Sequence, residues 1–203
     1  MSYKEPRRLA AGLKGLLLCG LSFSTLGALA LAVYFVMDPL RQEMGAFNGV
    51  SWLVLVGLFL PILNLILNLM AQILWMFWVR RLSLNVGLSG ATAIAAFVVP
   101  IGNLWGPFRV MQRLTAQMGE AEGLRRWWLI TLLAGIPILP LSIWLVGNMA
   151  DSIGLTTPFT VVMLFGYASM VTALRDYLGW RLVKRLSVAD SAAARTEMAV
   201  SAF

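Results

Sequence analysis

The chain has 203 residues, 60% of them hydrophobic, and its 16 Lys and Arg against 9 Asp and Glu give a formal charge of +7. One domain fits that length, and apolar content this high leaves no room for a separate soluble domain. With no histidine and a single cysteine, the chain lacks the usual haem and zinc ligand and the common proton shuttle, and it can close no internal disulfide, so neither a metal nor a cofactor is expected.

Four apolar blocks run from Leu16 to Met37, Trp52 to Val79, Trp127 to Asn148 and Phe159 to Leu178. Each reaches the roughly 20 residues a helix needs to cross hydrocarbon. The joint between the first two carries only Asp38, Arg41 and Glu43, and the joint between the last two only Asp151. All other basic residues fall on the opposite side, most of them as collars: Lys4, Arg7, Arg8 and Lys14; Arg80 and Arg81; Arg125 and Arg126; Arg181, Lys184 and Arg185. The positive-inside rule then places both termini in the cytoplasm. Collars of this kind meet anionic lipid headgroups, so membrane lipids rather than nucleic acid are the expected partners. Apolar character continues past Ala28 and Ala30 to Met37, so the first block is expected to stay as a membrane helix rather than be cleaved as a signal peptide.

Within the first helix Gly20, Ser24 and Ala28 recur every fourth residue, with Gly27 beside them. Small residues at that spacing let another helix approach closely. That helix is either one of this chain's own or one from a different subunit.

The second helix holds Pro61, which frees the carbonyl of Gly57, and then Asn64, Asn68 and Gln72 at i, i+4 and i+8 with Trp75 continuing toward Arg80. Carboxamides at membrane depth need partners, so the stripe is expected to face protein or water. It serves either as interhelical hydrogen bonding or as a lane for a small solute, an ion or a lipid headgroup.

Between Leu82 and Gly123 the apolar run Ala91 to Ile101 is too short to span and is flanked by arginines on both sides. The chain is predicted to dip in and return through an elbow at Pro100, Gly102, Trp105 and Pro107, with the Asn103 amide as one of its caps. From Phe108 to Met118, apolar residues alternate at helical spacing with Arg109, Gln112, Arg113 and Gln117, which predicts an amphipathic helix lying on the surface.

The third block opens on Trp127 and Trp128, expected as interfacial anchors, and contains Pro137 and Pro140. In the fourth, Arg175 and Asp176 project about 100° apart, so each is expected to pair elsewhere and to snorkel to the interface, as Arg80 and Arg81 do. The fold class is thus an all-α membrane protein: four transmembrane helices over residues 1–186 with a cytoplasmic re-entrant or interfacial elbow between helices 2 and 3. Residues 187–203 form a short cytoplasmic tail, with Ser187 as the cap of a further helix.

The stretch Trp75-Met76-Phe77-Trp78-Val79-Arg80-Arg81-Leu82-Ser83-Leu84-Asn85, followed by Phe97-Val98-Val99-Pro100-Ile101-Gly102-Asn103-Leu104-Trp105-Gly106-Pro107-Phe108, resembles the bacterial membrane family catalogued as domain of unknown function 4328. That family's pattern sets tryptophan and arginine ahead of an asparagine, then a proline, asparagine, leucine, tryptophan, proline sequence on a cytoplasmic joint. Gly106 departs from it, standing where a basic residue is expected. The resemblance implies the four-helix layout and an inner-membrane location, and it carries no reaction.

No nucleophile and base pair or carboxylate dyad lies within the apolar blocks, so an enzyme is not expected. Two roles follow from the residues. One is a non-enzymatic accessory or scaffold subunit that docks onto a larger membrane complex. The other is a small-solute or lipid channel or transporter using Asn64, Asn68, Gln72 and Asn103.

Overall fold

The computed structural model describes residues 7–44, 50–98, 105–119, 123–135 and 158–200. Six helices make up those residues, and no strand occurs among them: α1 Arg7–Met44, α2 Val50–Asn85, α3 Gly90–Val98, α4 Gly106–Met118, α5 Leu124–Gly135 and α6 Pro158–Val200. Two stretches, Arg7–Tyr34 in α1 and Leu63–Asn85 in α2, are long and apolar enough to cross a membrane, with mean hydropathy 2.1 and 1.3. Residues 136–157, which hold most of the expected third crossing, lie outside the described residues, as do Pro100, Gly102 and Asn103 of the expected elbow.

The helix ends are written in local chemistry. α2 stops in a Schellman motif: Gly87 takes φ +74°, its N–H reaches Leu84 O at 3.3 Å, and Leu88 N–H reaches Ser83 O at 2.7 Å. Those two bonds occupy carbonyls that the last turn leaves open, and a positive φ suits glycine. α3 starts on Ser89, whose hydroxyl accepts from Thr92 N–H at 3.4 Å, an N-cap contact. α4 has Pro107 in its first turn and ends on Gly119 at φ +72°, whose N–H bonds Thr115 O.

α6 does not stop at the end of its apolar run. It continues without a break to Val200, so the expected cap at Ser187 is corrected: the Ser187 hydroxyl donates back to Val183 O at 2.6 Å inside the helix. The polar segment beyond Arg185 is rich in alanine, a strong helix former, and the helix propagates through it.

The chain divides into two compact units. The first comprises Met1–Leu18, Asn68–Leu129 and Tyr177–Phe203. Its core is aromatic: Trp75 and Trp127 stack with centroids 4.8 Å apart and planes 7° from parallel, Trp78 meets Trp75 edge-on at 5.6 Å, and Trp128 lies against Phe108 at 6.0 Å. Gly179 of α6 makes room for the stack, since a Cβ there would fall 3.1 Å from Trp127 Nε1 and 3.6 Å from Trp75 Cζ3. Trp127 and Trp128, expected as interfacial anchors, are instead buried. Large flat rings bury 150–250 Å² each and pair best with one another, and α2 presents two more at Trp75 and Trp78.

α4 keeps the expected amphipathic character. Met111 and Leu114 are fully buried while Arg109, Gln112, Arg113 and Gln117 are exposed. α3 packs on α4 so closely that a Cβ on Gly106 would lie 2.8 Å from the backbone oxygen of Ala96. A side chain longer than hydrogen has no space at this position. Farther along, Asn85 Nδ2 donates to Asp190 Oδ1 at 3.2 Å and ties the end of α2 to α6.

The second unit comprises Cys19–Leu67 and Ile130–Asp176. Here α1 and α2 approach closely at Gly57, where a Cβ would meet Leu31 Cδ2 at 2.5 Å and lie 3.6 Å from Gly27 O. Outer faces are apolar and exposed: Leu26 and Leu29 on α1, and Phe59, Leu65 and Ile66 on α2.

Candidate functional site: a buried polar junction

The polar groups of the second unit gather where α1, α2 and α6 meet. Asn64 of α2 is 3% exposed, Ser24 of α1 and Asp176 of α6 are each 1% exposed, and burial on that scale demands hydrogen-bond partners. Asn64 Nδ2 lies 2.6 Å from Ser24 Oγ. Asp176 Oδ1 accepts from Arg175 Nε at 2.9 Å and from Arg175 Nη2 at 2.6 Å. This corrects the expectation that the adjacent pair would find other partners and snorkel. The long guanidinium stem bends round the helix, and the short carboxylate, which cannot reach water, takes the donor nearest to it.

Gly20 is the hinge of this geometry. A Cβ on Gly20 would lie 2.5 Å from Asp176 Oδ2 and 3.0 Å from Asn64 Oδ1, so only a hydrogen there lets both side chains come against α1. Those two oxygens have no hydrogen-bond partner as placed. A carboxamide's two ends have nearly the same shape, so with the Asn64 amide turned by 180° the Ser24 hydroxyl donates to Oδ1. The junction thus holds two pairs, Asn64 with Ser24 and Arg175 with Asp176, set against one another at Gly20.

The expected stripe on α2 does not act as a unit. Asn64 is buried, Asn68 half-buried with a partner of its own, and Gln72 exposed. Four residues of a straight helix turn about 400°, so each step of i+4 rotates the stripe about 40° around the axis, and by Gln72 it has left the core.

In the packing strip, Gly20, Ser24 and Gly27 are buried and Ala28 half-buried. Of the elbow, Trp105 is exposed and Pro107 buried, while Arg80 and Arg81 are both exposed. Sequence reasoning missed the Gly20 contact and the burial of Asp176. The available signal was a lone acid and Gly179 in the last turns of an apolar run. Ser169, also buried at 3%, stands seven residues before Asp176 and so on the same face of α6.

Among the described residues no group of three or more His, Cys, Asp or Glu side chains comes together as metal ligands would. In comparisons with known protein families, curated proteins and solved structures, nothing matches this chain.

Proposed function

We propose that this chain is a non-enzymatic multi-pass protein of a bacterial inner membrane that serves as an accessory or scaffold subunit of a larger membrane complex. In this reading it crosses the bilayer four times, keeps both termini and the Leu82 to Gly123 elbow in the cytoplasm, and belongs with domain of unknown function 4328.

The observation that carries the subunit role is the junction at Gly20. The polar residue deepest in the stripe, Asn64, is committed to Ser24 at 2.6 Å and shares the Gly20 contact with Asp176, which supports a role in tying helices together. What remains outward on the two apolar helices is Leu26, Leu29, Leu65, Ile66 and Ile73, a surface suited to lipid and to other membrane helices. The alternative, a solute or lipid channel using Asn64, Asn68, Gln72 and Asn103, needs a continuous polar lane, and the bond that commits Asn64 to Ser24 weighs against it.

Mild extraction of the tagged chain from its native membrane, followed by native mass spectrometry, tests the proposal. The expected result is an assembly holding a second polypeptide in fixed ratio. A monomer or homo-oligomer that passes solute when reconstituted in liposomes would overturn the proposal and favour the channel.

A further inference from the structure

A half-open hollow in the first unit is not used by the junction or by the aromatic core. Its cavity volume is about 60 Å³, and it is lined by Gly123, Arg126, Leu178, Arg181, Leu182 and Arg185. One water needs roughly 10–15 Å³ on this measure, so the space suits a group of four or five heavy atoms.

Two elements supply the lining. On α6, Leu178, Arg181, Leu182 and Arg185 stand at i, i+3, i+4 and i+7, one face of the helix. On the other side α5 begins: Trp127 N–H bonds Gly123 O at 2.9 Å, which marks Gly123 as the residue ahead of the first turn, and its φ of +90° turns the chain into the helix. The N–H groups of Leu124, Arg125 and Arg126 therefore have no partner within α5. The first turn of α5 carries no acidic residue, leaving the positive end of the helix dipole uncompensated from within.

Three guanidinium groups and a helix N-terminus thus border one cavity. Guanidinium forks match the planar spacing of phosphate oxygens, and helix N-termini add oriented N–H donors. Leu178 and Leu182 give the same hollow an apolar side.

We propose that this hollow binds a phosphate group, held by Arg126 and Arg181 against the start of α5, with Arg185, which has a partner of its own, also in the lining. The chemistry is shared by a phospholipid headgroup and by a free phosphate. The site goes beyond the subunit reading and stands whether or not that reading does, because its test uses the purified chain alone.

The test is calorimetric titration of the full chain in dodecyl maltoside micelles with two probes, inorganic phosphate and dioctanoyl phosphatidylglycerol. Arg126→Gln with Arg181→Gln is compared with a charge-matched control, Arg109→Gln with Arg113→Gln, on the exposed face of α4. The paired change in the hollow is expected to weaken binding at least about tenfold, the scale of lost bidentate contacts, while the control binds as the parent does. Binding of both probes at similar affinity assigns a free phosphate; binding of the lipid alone assigns a headgroup. Should the paired variant fail to fold, Arg181→Lys keeps the charge but loses the fork, and severalfold weaker binding is expected. Binding of neither probe, equal loss in the control, or unchanged binding in Arg181→Lys at parental melting temperature overturns the site.

Discussion

Replacing Gly20 by alanine tests whether the junction holds the second unit together. The new methyl would arrive 2.5 Å from Asp176 Oδ2 and 3.0 Å from Asn64 Oδ1, and neither neighbour is the free end of a flexible chain. Asp176 is fixed by two bonds to Arg175 and Asn64 by one to Ser24. Overpacking of this kind costs about 1–3 kcal/mol, and displacing a hydrogen bond to a charged group adds about 1.5–3 kcal/mol. Alanine returns about 1 kcal/mol of helix propensity, so the net expectation is a loss of about 1.5–5 kcal/mol. Gly15 provides the control on the same helix, being exposed with nothing within 4 Å of a built Cβ. There the propensity gain stands alone, and Gly15→Ala is expected to stabilise by up to about 1 kcal/mol. Circular dichroism across a titration from dodecyl maltoside into sodium dodecyl sulfate reads both variants. It reports helix from both units, whereas Trp75, Trp78, Trp127 and Trp128 report only the first. If Gly20→Ala matches or exceeds the parent as Gly15→Ala does, the close approach at Gly20 is wrong and the junction with it.

Three further outcomes follow from the same geometry. Asp176→Leu leaves the Arg175 guanidinium without its carboxylate and is expected to cost about 3 kcal/mol, whereas Arg175→Met combined with Asp176→Leu is expected to return close to the parent; a double-mutant cycle in the same unfolding assay measures the difference, and additive losses would contradict a coupled pair. Gly106→Lys drives a Cβ against Ala96 O at 2.8 Å, and a loss of about 1–3 kcal/mol is expected; unchanged thermal unfolding would show that α3 and α4 do not pack this closely. In a Cys19→Ser background, Ser89→Cys on the α2–α3 joint is expected to react with an impermeant maleimide only after the cells are opened, and labelling of intact cells would reverse the proposed topology.

The parts of this fold that were legible in the sequence are those set by one helix at a time. The 3.6-residue period from Phe108 to Met118 predicted which side of α4 is buried, and Met111 and Leu114 obey it. Glycines mark the end of α4 at Gly119 and the start of α5 at Gly123. Hydropathy located α1 and α2 but not their ends: the expected helices over 16–37 and 52–79 run as Arg7–Met44 and Val50–Asn85. Burial in hydrocarbon stops where charge begins, yet backbone hydrogen bonding has no reason to stop there, and so α6 passes straight through its arginine collar to Val200.

What sequence could not supply was the choice of partner. Asn64, Asn68 and Gln72 look equivalent at i, i+4 and i+8, yet their exposure differs because a fourfold spacing is not commensurate with 3.6 residues per turn. Of the three, only Asn64 falls opposite Ser24 and beside Gly20. The same reasoning explains Arg175 and Asp176. On a bare helix they diverge, and their pairing appears only once α1 and α2 cover the carboxylate, because a group 1% exposed cannot be left to water and must take the nearest donor. The short residue Gly20 therefore decides the junction more than any of its polar members does: it sets how near the helices come, and the nearness sets which polar atoms must satisfy one another.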